Sequence, residues 1–498
     1  MVRVLFLTPP GGYFAERWSK NELIPALGIG YVSAFLESAG HKVKIIDPNA
    51  EQLSSNELIQ RIEEYESDLV GISFTTENRF EAFKVAKKIK ERVRDIRIVF
   101  GGPHVWRTAN DTLKHLEYVD FIVRGEGEIT TLELVDAIER GKDLRNIAGL
   151  SYRMNSIIVH NVDRSLIDNL DAMPFPARHL YPMEKYNYYV YDPDKGKRKT
   201  LNLMTSRGCP FNCNFCATPS NWGRKVRCIS VDRIMREIDE LINKYKAEAL
   251  WFYDDTFTFN PKRVHDLCDE MIAKKLDLSW YCEIRIDTVN RGLLKKMKDA
   301  GCFYVGMGIE SASPRILDEV INKGKGFSLE KVTSVIKDCL DFGIIPNPFF
   351  IISHPTERYE EAKQTMEYIN RLKQISDKID ISISIMHIYP GTPLEAMARE
   401  MGLLPKNFSW SLPNQKGIVT LPAAQGEVPL FIDKLSWKEI SQLLFEWVKH
   451  KEKYSLWNKI PKVIKSIRTW GDLLRYSIMA KEFLRIKCKK LLVKKENI

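Results

Sequence analysis

The chain has 498 residues, 44% of them hydrophobic and 28% charged, a composition expected of a soluble globular protein with room for several domains. No apolar run reaches the roughly 18–20 residues that a membrane-spanning helix requires, which excludes a helical integral membrane protein. Net charge is +10, yet the stretch from Lys449 to Ile498 holds 15 Lys/Arg against 4 Asp/Glu, a balance of +11, so everything before it sums to −1.

The N-terminal residues Met1-Val2-Arg3-Val4-Leu5-Phe6-Leu7 are too short for a signal peptide and run into Thr8-Pro9-Pro10-Gly11-Gly12, a strand followed by its turn. The expected compartment is the cytoplasm. Residues 4–7, 43–46, 69–74, 98–100 and 121–123 read as strands. Helical patterns separate most of them: one carries Ile29, Val32, Phe35 and Leu36 on a single face and ends at Gly40, and others lie around 56–65, 79–93 and 108–117. This α/β alternation predicts a doubly wound, Rossmann-like parallel sheet over residues 1–150.

Residues 151–200 show no clear period and carry Pro174, Pro176, Pro182 and Pro193, so they read as a linker. Alternation resumes over 201–395, with strands at 201–205, 249–253, 279–284, 303–309, 346–352 and 381–388. Six strand–helix units are too few for a closed eight-stranded barrel and predict a partial one. Residues 396–498 read as a helical, basic C-terminal extension.

Three of the nine cysteines crowd into one loop, Ser206-Arg207-Gly208-Cys209-Pro210-Phe211-Asn212-Cys213-Asn214-Phe215-Cys216, directly after a strand. An odd count with one tight cluster points to metal or catalysis instead of a disulfide framework. Three thiolates at Cys-x3-Cys-x2-Cys spacing can hold three irons of a cubane cluster and leave the fourth open to a substrate. The competing readings are a structural zinc site and incidental cysteines. Zinc wants four ligands, and Cys228, 12 residues on, is the one conceivable fourth.

This loop resembles that of the radical S-adenosylmethionine superfamily, including an aromatic residue, Phe215, before the last cysteine. The resemblance implies a 4Fe–4S cluster on Cys209, Cys213 and Cys216 that cleaves S-adenosylmethionine to methionine and a hydrogen-abstracting 5′-deoxyadenosyl radical. It further implies that Asp254 and Asp255, in Asp254-Asp255-Thr256-Phe257, receive the amino group of S-adenosylmethionine. Glu283 and Arg285 stand at a strand end, where barrel sites gather polar groups. Gly306-Met307-Gly308-Ile309-Glu310-Ser311 resembles the family strand whose Glu and Ser contact the cofactor, here Glu310 and Ser311. A departure follows: Ile352-Ser353-His354-Pro355-Thr356-Glu357 stands where relatives carry a Gly-leucine-Pro-Gly-Glu-Thr-like turn. His354 is therefore either an active-site group or a hydrogen-bonded structural histidine. The match resumes at His387-Ile388-Tyr389-Pro390-Gly391-Thr392-Pro393-Leu394 and closes near residue 395.

A doubly wound sheet binds ligands beyond the carboxyl ends of its strands. The loops there carry Ser73, Thr75 and Thr76; Gly101, Gly102 and His104; and Gly125, Glu126 and Gly127. None matches the dinucleotide fingerprint. With Pro25-Ala26-Leu27-Gly28 and Gly40-His41-Lys42-Val43 they resemble the cobalamin-binding domain that precedes the radical domain in one branch of the superfamily. The resemblance places cobalamin on Ser73, Thr75, Gly101, Gly102, Gly125, Glu126 and Gly127. The Asp-x-His-x-x-Gly motif is absent, so the expected cobalamin has neither its own base nor a histidine below the cobalt; a degenerate domain kept for packing is the alternative.

With both cofactors the resemblance implies methyl transfer to an unactivated carbon of a small molecule or lipid, using a ferredoxin or flavodoxin as electron donor. Ring closure or carbon–carbon coupling without methylation is the alternative within the family, and a non-catalytic iron–sulfur sensor the alternative outside it. In the tail, Ile460, Val463, Ile464, Ile467, Leu474 and Ile478 recur at helical spacing between Lys462, Lys465, Arg468 and Arg475. Such a helix either lies on an anionic membrane surface, here the inner one, or caps the barrel with a solvated basic face. No nucleic-acid-binding motif is present, and nucleic acid is not an expected partner.

Overall fold

The computed structural model describes residues 2–11, 23–154, 156–324, 327–420 and 427–448, together with Ser477. Its first sheet begins with β1 (Arg3–Leu7), β2 (Lys42–Ile46), β3 (Leu69–Ser73), β4 (Arg97–Gly101) and β5 (Phe121–Val123). These five are parallel and stand in the order β2-β1-β3-β4-β5. Helices α1 (Leu27–Ser38), α2 (Ser55–Tyr65), α3 (Arg79–Arg92), α4 (Val105–His115) and α5 (Gly127–Arg140) alternate with them.

Strand periodicity explains why both faces are covered. Leu5, Leu7, Val70, Ile72, Ile98 and Phe100 join Leu58, Ile62, Ala82 and Ile89 in the core beneath α2, α3 and α4. The alternate residues Val4, Phe6, Leu69, Val99 and Phe121 join Ile29, Leu36, Leu134 and Val135 beneath α1 and α5. Each fully buried Leu, Ile, Val or Phe contributes about 1.5–3 kcal/mol.

The segment that reads as a linker supplies structure to both sheets. β6 (Leu150–Met154) and β7 (Ile157–His160) form an antiparallel hairpin on the edge of the first sheet. Its outer strand is half polar and carries an exposed Ile157, so no apolar alternation announces it. Tyr181 and Tyr186 then pack into the first core while Leu170 and Met173 pack into the second. β8 (Tyr189–Asp192) pairs antiparallel with the start of β9 (Gly196–Leu203).

β9 opens a second seven-stranded sheet, ordered β16-β15-β14-β13-β12-β9-β8. Its parallel strands β12 (Ala249–Phe252), β13 (Ser279–Ile284), β14 (Cys302–Glu310), β15 (Ile345–Ile352) and β16 (Ser382–Ile385) complete six strand units, a curled half-barrel. Between β9 and β12 lie the short helix α6 (Thr218–Trp222), the two-residue pair β10 (Ser206–Arg207) and β11 (Arg227–Cys228), and α7 (Val231–Asn243). Helices α8 (Pro261–Ala273), α9 (Arg291–Asp299), α10 (Leu329–Asp341) and α11 (Tyr359–Ile375) follow the next four strands on the outside. Leu250, Phe252, Trp280, Cys282, Val305 and Met307 face those helices in one core. The alternate residues Trp251, Tyr281 and Glu283 therefore face the concave side.

After the barrel come α12 (Pro393–Glu400) and α13 (Trp437–Val448). The described residues between them, 401–420 and 427–436, are turns and two isolated bridges instead of the helical run expected from residue 396. Pro405, Pro413 and Pro429 interrupt that stretch, and Phe408, Trp410 and Phe431 anchor it singly in a satellite core. Apart from Ser477, the basic tail from 449 onward lies outside the described residues.

Candidate functional site

The cysteine loop leaves the half-barrel at its carboxyl end, immediately after β10. Cys209, Cys213 and Cys216 are all half-buried and free of disulfides. Cys209 Sγ lies 3.6 Å from Thr256 Oγ1. Burial raises the Cys213 thiol and pushes Cys216 up to about 11, while Lys323 and Arg285 pull Cys213 down. Cys209 adds to the rise of Cys213, and Cys213 to that of Cys216, which is a poor arrangement for free cysteines and a good one for thiolates neutralised by metal. Cys228 sits apart on β11, exposed and paired with Ser206.

The loop is fastened from outside. Asn214 donates from its backbone N to Ile321 O (3.2 Å) and from Nδ2 to Val320 O (2.9 Å), and Asn322 Nδ2 donates to Asn212 O (3.3 Å). The Arg285 guanidinium stacks 3.5 Å over the Phe211 ring. Phe215 packs against both the barrel core and the satellite core.

Three carboxylates stand at neighbouring strand ends. Asp255, after β12, accepts from Thr218 Oγ1 (2.8 Å) and opens onto the concavity. The protein around it and the adjacent Asp254 push it up to about 6, against the pull of Thr218. Glu283 on β13 is pushed up to about 7, first by burial and then by Glu310. Its carboxylate lies over Gly306 of β14, and a Cβ on Gly306 would collide with it. Gly308 makes the same room for Glu310. Two glycines inside a strand weaken it, and here they mark the close approach of two acidic side chains. Glu310 has φ +72° and accepts from Lys323 Nζ at 2.9 Å, both side chains under 10% exposed.

Several expected site residues are engaged elsewhere. Asp254 is 2% exposed and accepts from Thr205 N (3.1 Å), Thr205 Oγ1 (2.9 Å) and Ser206 Oγ, so it ties β9 to β12 and Asp255 alone of the pair faces the site. Ser311 is directed away, its Oγ 3.2 Å from Thr365 Oγ1 on α11 and accepting from Ser313 N. Arg285 is held by Asp287 and by Lys323 O (2.8 Å) in addition to Phe211, which makes it a brace for the cysteine loop. His354 is 1% exposed, with Nε2 3.4 Å from Glu310 O, and burial pushes it down to about 4. Its Nε2 contact props the left-handed Glu310. Glu357 holds the same turn, accepting from Ser353 N (2.6 Å) and His354 N (3.1 Å).

At the carboxyl ends of the first sheet, Ser73 and Gly102 meet: a Cβ on Gly102, at φ +96°, would stand 2.6 Å from Phe74 O and 2.9 Å from Ser73 Oγ. Gly101 faces open space, with nothing within 4 Å of a Cβ placed there. Gly125 is overlaid by Trp106 and Gly127 packs on Val32. Thr75 spends its N–H and hydroxyl on Asn78. Glu126 departs from expectation most sharply. It is 5% exposed and its carboxylate accepts from Arg207 Nη1 (2.9 Å), Arg227 Nη1 (2.8 Å) and Ile167 N (2.6 Å). It binds the second domain, leaving its side chain no oxygen for a cofactor. Sequence reasoning missed Arg207, Arg227, Lys323 and Thr218, which carry no motif of their own.

Residues 203–369 match the radical SAM superfamily model and residues 21–135 match the B12 binding domain model. An uncharacterized methyltransferase from Pyrococcus horikoshii is 38% identical over 406 residues, 81% of this chain and 84% of that protein. The chain belongs to the radical SAM superfamily, in the branch with a B12 binding domain. Its cofactors are a 4Fe–4S cluster, S-adenosylmethionine and cobalamin, and it is an enzyme. Another relative of this radical SAM enzyme is the anaerobic magnesium-protoporphyrin IX monomethyl ester cyclase of Rubrivivax gelatinosus, 28% identical over 375 residues, 73% of this chain and 65% of that protein. Among solved structures, the cobalamin-dependent S-adenosylmethionine radical enzyme OxsB with aqua-cobalamin and S-adenosylmethionine bound superposes with a TM-score of 0.73 at 17% identity. That match covers 97% of this chain and 71% of that one, and it shows a shared fold.

Proposed function

We propose that this radical SAM enzyme transfers a methyl group to an unactivated carbon of a small molecule or lipid. The observation that carries the reading is the placement of the three-cysteine loop at the mouth of the half-barrel, joined through Arg207 to Glu126 at the strand ends of the B12 binding domain. The methyltransferase relative that covers most of its own length with this chain supports the same chemistry.

In this reading Cys209, Cys213 and Cys216 hold the cluster, and the half-buried loop beside Lys323 and Arg285 fits an anionic thiolate cluster. Asp255, Glu283 and Glu310 receive the amino and ribose groups of S-adenosylmethionine, with Phe215 beside the loop. Ser73, Gly101, Gly102, Gly125 and Gly127 form the floor for cobalamin, and the open space at Gly101 fits a large flat ligand. When bound, the cluster and S-adenosylmethionine supply hydrogen abstraction from carbon, and cobalamin supplies the methyl group. The chain's own residues orient and exclude: Trp251, Tyr281 and Tyr304 cluster on the concave side of the half-barrel, and Lys323 pairs with Glu310 and holds it in place.

The cyclase relative supports a second reading, ring closure or carbon–carbon coupling without methylation. Product analysis separates the two. Methyl transfer turns one S-adenosylmethionine into S-adenosylhomocysteine for each one cleaved to 5′-deoxyadenosine, whereas ring closure yields no S-adenosylhomocysteine. A ferredoxin or flavodoxin as reductant and a membrane contact through the tail belong to the same proposal.

A further inference from the structure

Beside the cysteine loop, and outside the residues assigned above to S-adenosylmethionine, a cleft of about 200 Å³ opens between the two domains. One wall is the end of β5 and the first turn of α4, with Arg124, Gly125, Trp106 and Arg107; the other is α6, which begins just after Cys216, with Ser220 and Asn221. Arg164 closes the floor. The lining therefore carries three guanidinium groups and a single carboxylate, Asp163.

The charges are unevenly matched. Asp163 is 3.3 Å from Arg124 with its side chain 69% exposed, and Arg164 is paired with Glu133. Arg107 donates to Ser220 O and leans on the Trp106 ring; among the described residues no carboxylate pairs with it. Arg124 has its side chain 12% exposed, and its Nε is buried without a partner. Burial and the like charge of Arg107 both act against the Arg124 cation, so the two guanidinium groups repel across the cleft. The first turn of α4, which has no side-chain cap, lies in the same wall and adds positive potential. A cleft lined by three guanidinium groups, one of which, Arg107, has no carboxylate partner among the described residues, suits a tetrahedral oxyanion.

We propose that this cleft binds a phosphate-type anion, held between Arg107 and Arg124. The anion has two chemical sources: the phosphodiester in the tail of cobalamin, or a phosphate carried by the molecule that accepts the methyl group. The first source rests on the cobalamin reading of the first domain; the second does not.

Two titrations of the full chain test it, with the R107Q/R124Q double variant and R124K as controls for charge and for folding. Hydroxocobalamin is compared with cobinamide, which lacks the phosphodiester, and pyrophosphate is titrated into cobalamin-loaded enzyme. If the tail supplies the anion, the wild type binds hydroxocobalamin about tenfold or more tighter than cobinamide, and the double variant loses that difference while R124K keeps part of it. If the acceptor supplies it, pyrophosphate binds the loaded wild type and binds the double variant about tenfold or more weakly. Equal affinity for the two corrinoids, with no pyrophosphate binding to the wild type, overturns the proposal whatever the variants do. Pyrophosphate binding by a chain that takes up neither corrinoid removes the cobalamin reading and leaves the anion site standing.

Discussion

Arg207 Nη1 donates to Glu126 Oε1 at 2.9 Å, joining residues 81 positions apart, each side chain 2% exposed. Arg207 immediately precedes the cysteine loop, and Glu126 opens α5 at the carboxyl edge of the first sheet. Burial on its own would lower the Arg207 guanidinium, but Glu128 and Glu126 reverse this and hold it above its ordinary value. Arg227 shares Glu126, so one carboxylate fixes both strands, β10 and β11, that frame the loop.

Removing the shared carboxylate leaves two buried cations, with Glu128 the one carboxylate among the described residues still hydrogen-bonded to either of them. Glu126→Gln is expected to cost about 3–5 kcal/mol. The melting temperature of the cofactor-free protein should fall by about 2–4 °C for each kcal/mol. Calorimetry checks this, and unchanged melting would show that the pair does not join the domains energetically.

Ligand assignment separates Cys228 from the three loop cysteines. Ala at Cys209, Cys213 or Cys216 should remove the broad iron–sulfur absorption after anaerobic reconstitution. Cys228→Ser should retain it, because Cys228 lies on β11 and outside the loop. Loss of the cluster in that variant would make the ligand set wrong.

Gly306 exists to admit Glu283. Gly306→Ala places a Cβ where the carboxylate now lies. This should weaken S-adenosylmethionine binding about tenfold or more, while leaving the cluster absorption in place. Equilibrium dialysis on the reconstituted enzyme measures it, and wild-type affinity would remove Glu283 from the cofactor's surroundings.

Glu283 also gives a pH signature. Its folded ionisation is raised to about 7 from an ordinary 4.5, so the folded protein holds this proton more tightly than the unfolded chain. The cost of the buried carboxylate therefore grows as pH rises above 4.5 and is complete above about 7. Glu283→Gln relieves that cost, and should raise the melting temperature of the cofactor-free protein more at pH 8 than at pH 5.5. An equal shift at both pH values would show that Glu283 is ionised throughout.

The sequence was most legible where function is local. The cysteine spacing, the glycine-flanked Glu310 and the strand–helix alternation all lie within short windows, and the observed strands stand within a few residues of the expected ones. What a window does not contain is partnership. Asp254 and Asp255 are neighbours of identical chemistry, and they differ because Thr205 and Ser206, at the end of another strand, reach only the first. Lys323 comes from an irregular segment 13 residues beyond Glu310, and no period marks it. Glu126 read as a ligand residue because its loop sits where ligands bind, and Arg207 and Arg227 turned its side chain to another use. The β6–β7 hairpin was hidden for a simpler reason, since an edge strand with one solvated side shows little hydrophobic pattern.

Iron and cobalamin per chain, measured after anaerobic reconstitution with iron, sulfide and hydroxocobalamin, test the two-cofactor account most directly. About four irons and one cobalamin per chain is the predicted result, with both lost independently in variants of the cysteine loop and of Gly102. Four irons with no cobalamin would contradict methyl transfer and leave ring closure or coupling, and a chain that holds neither would contradict the account as a whole.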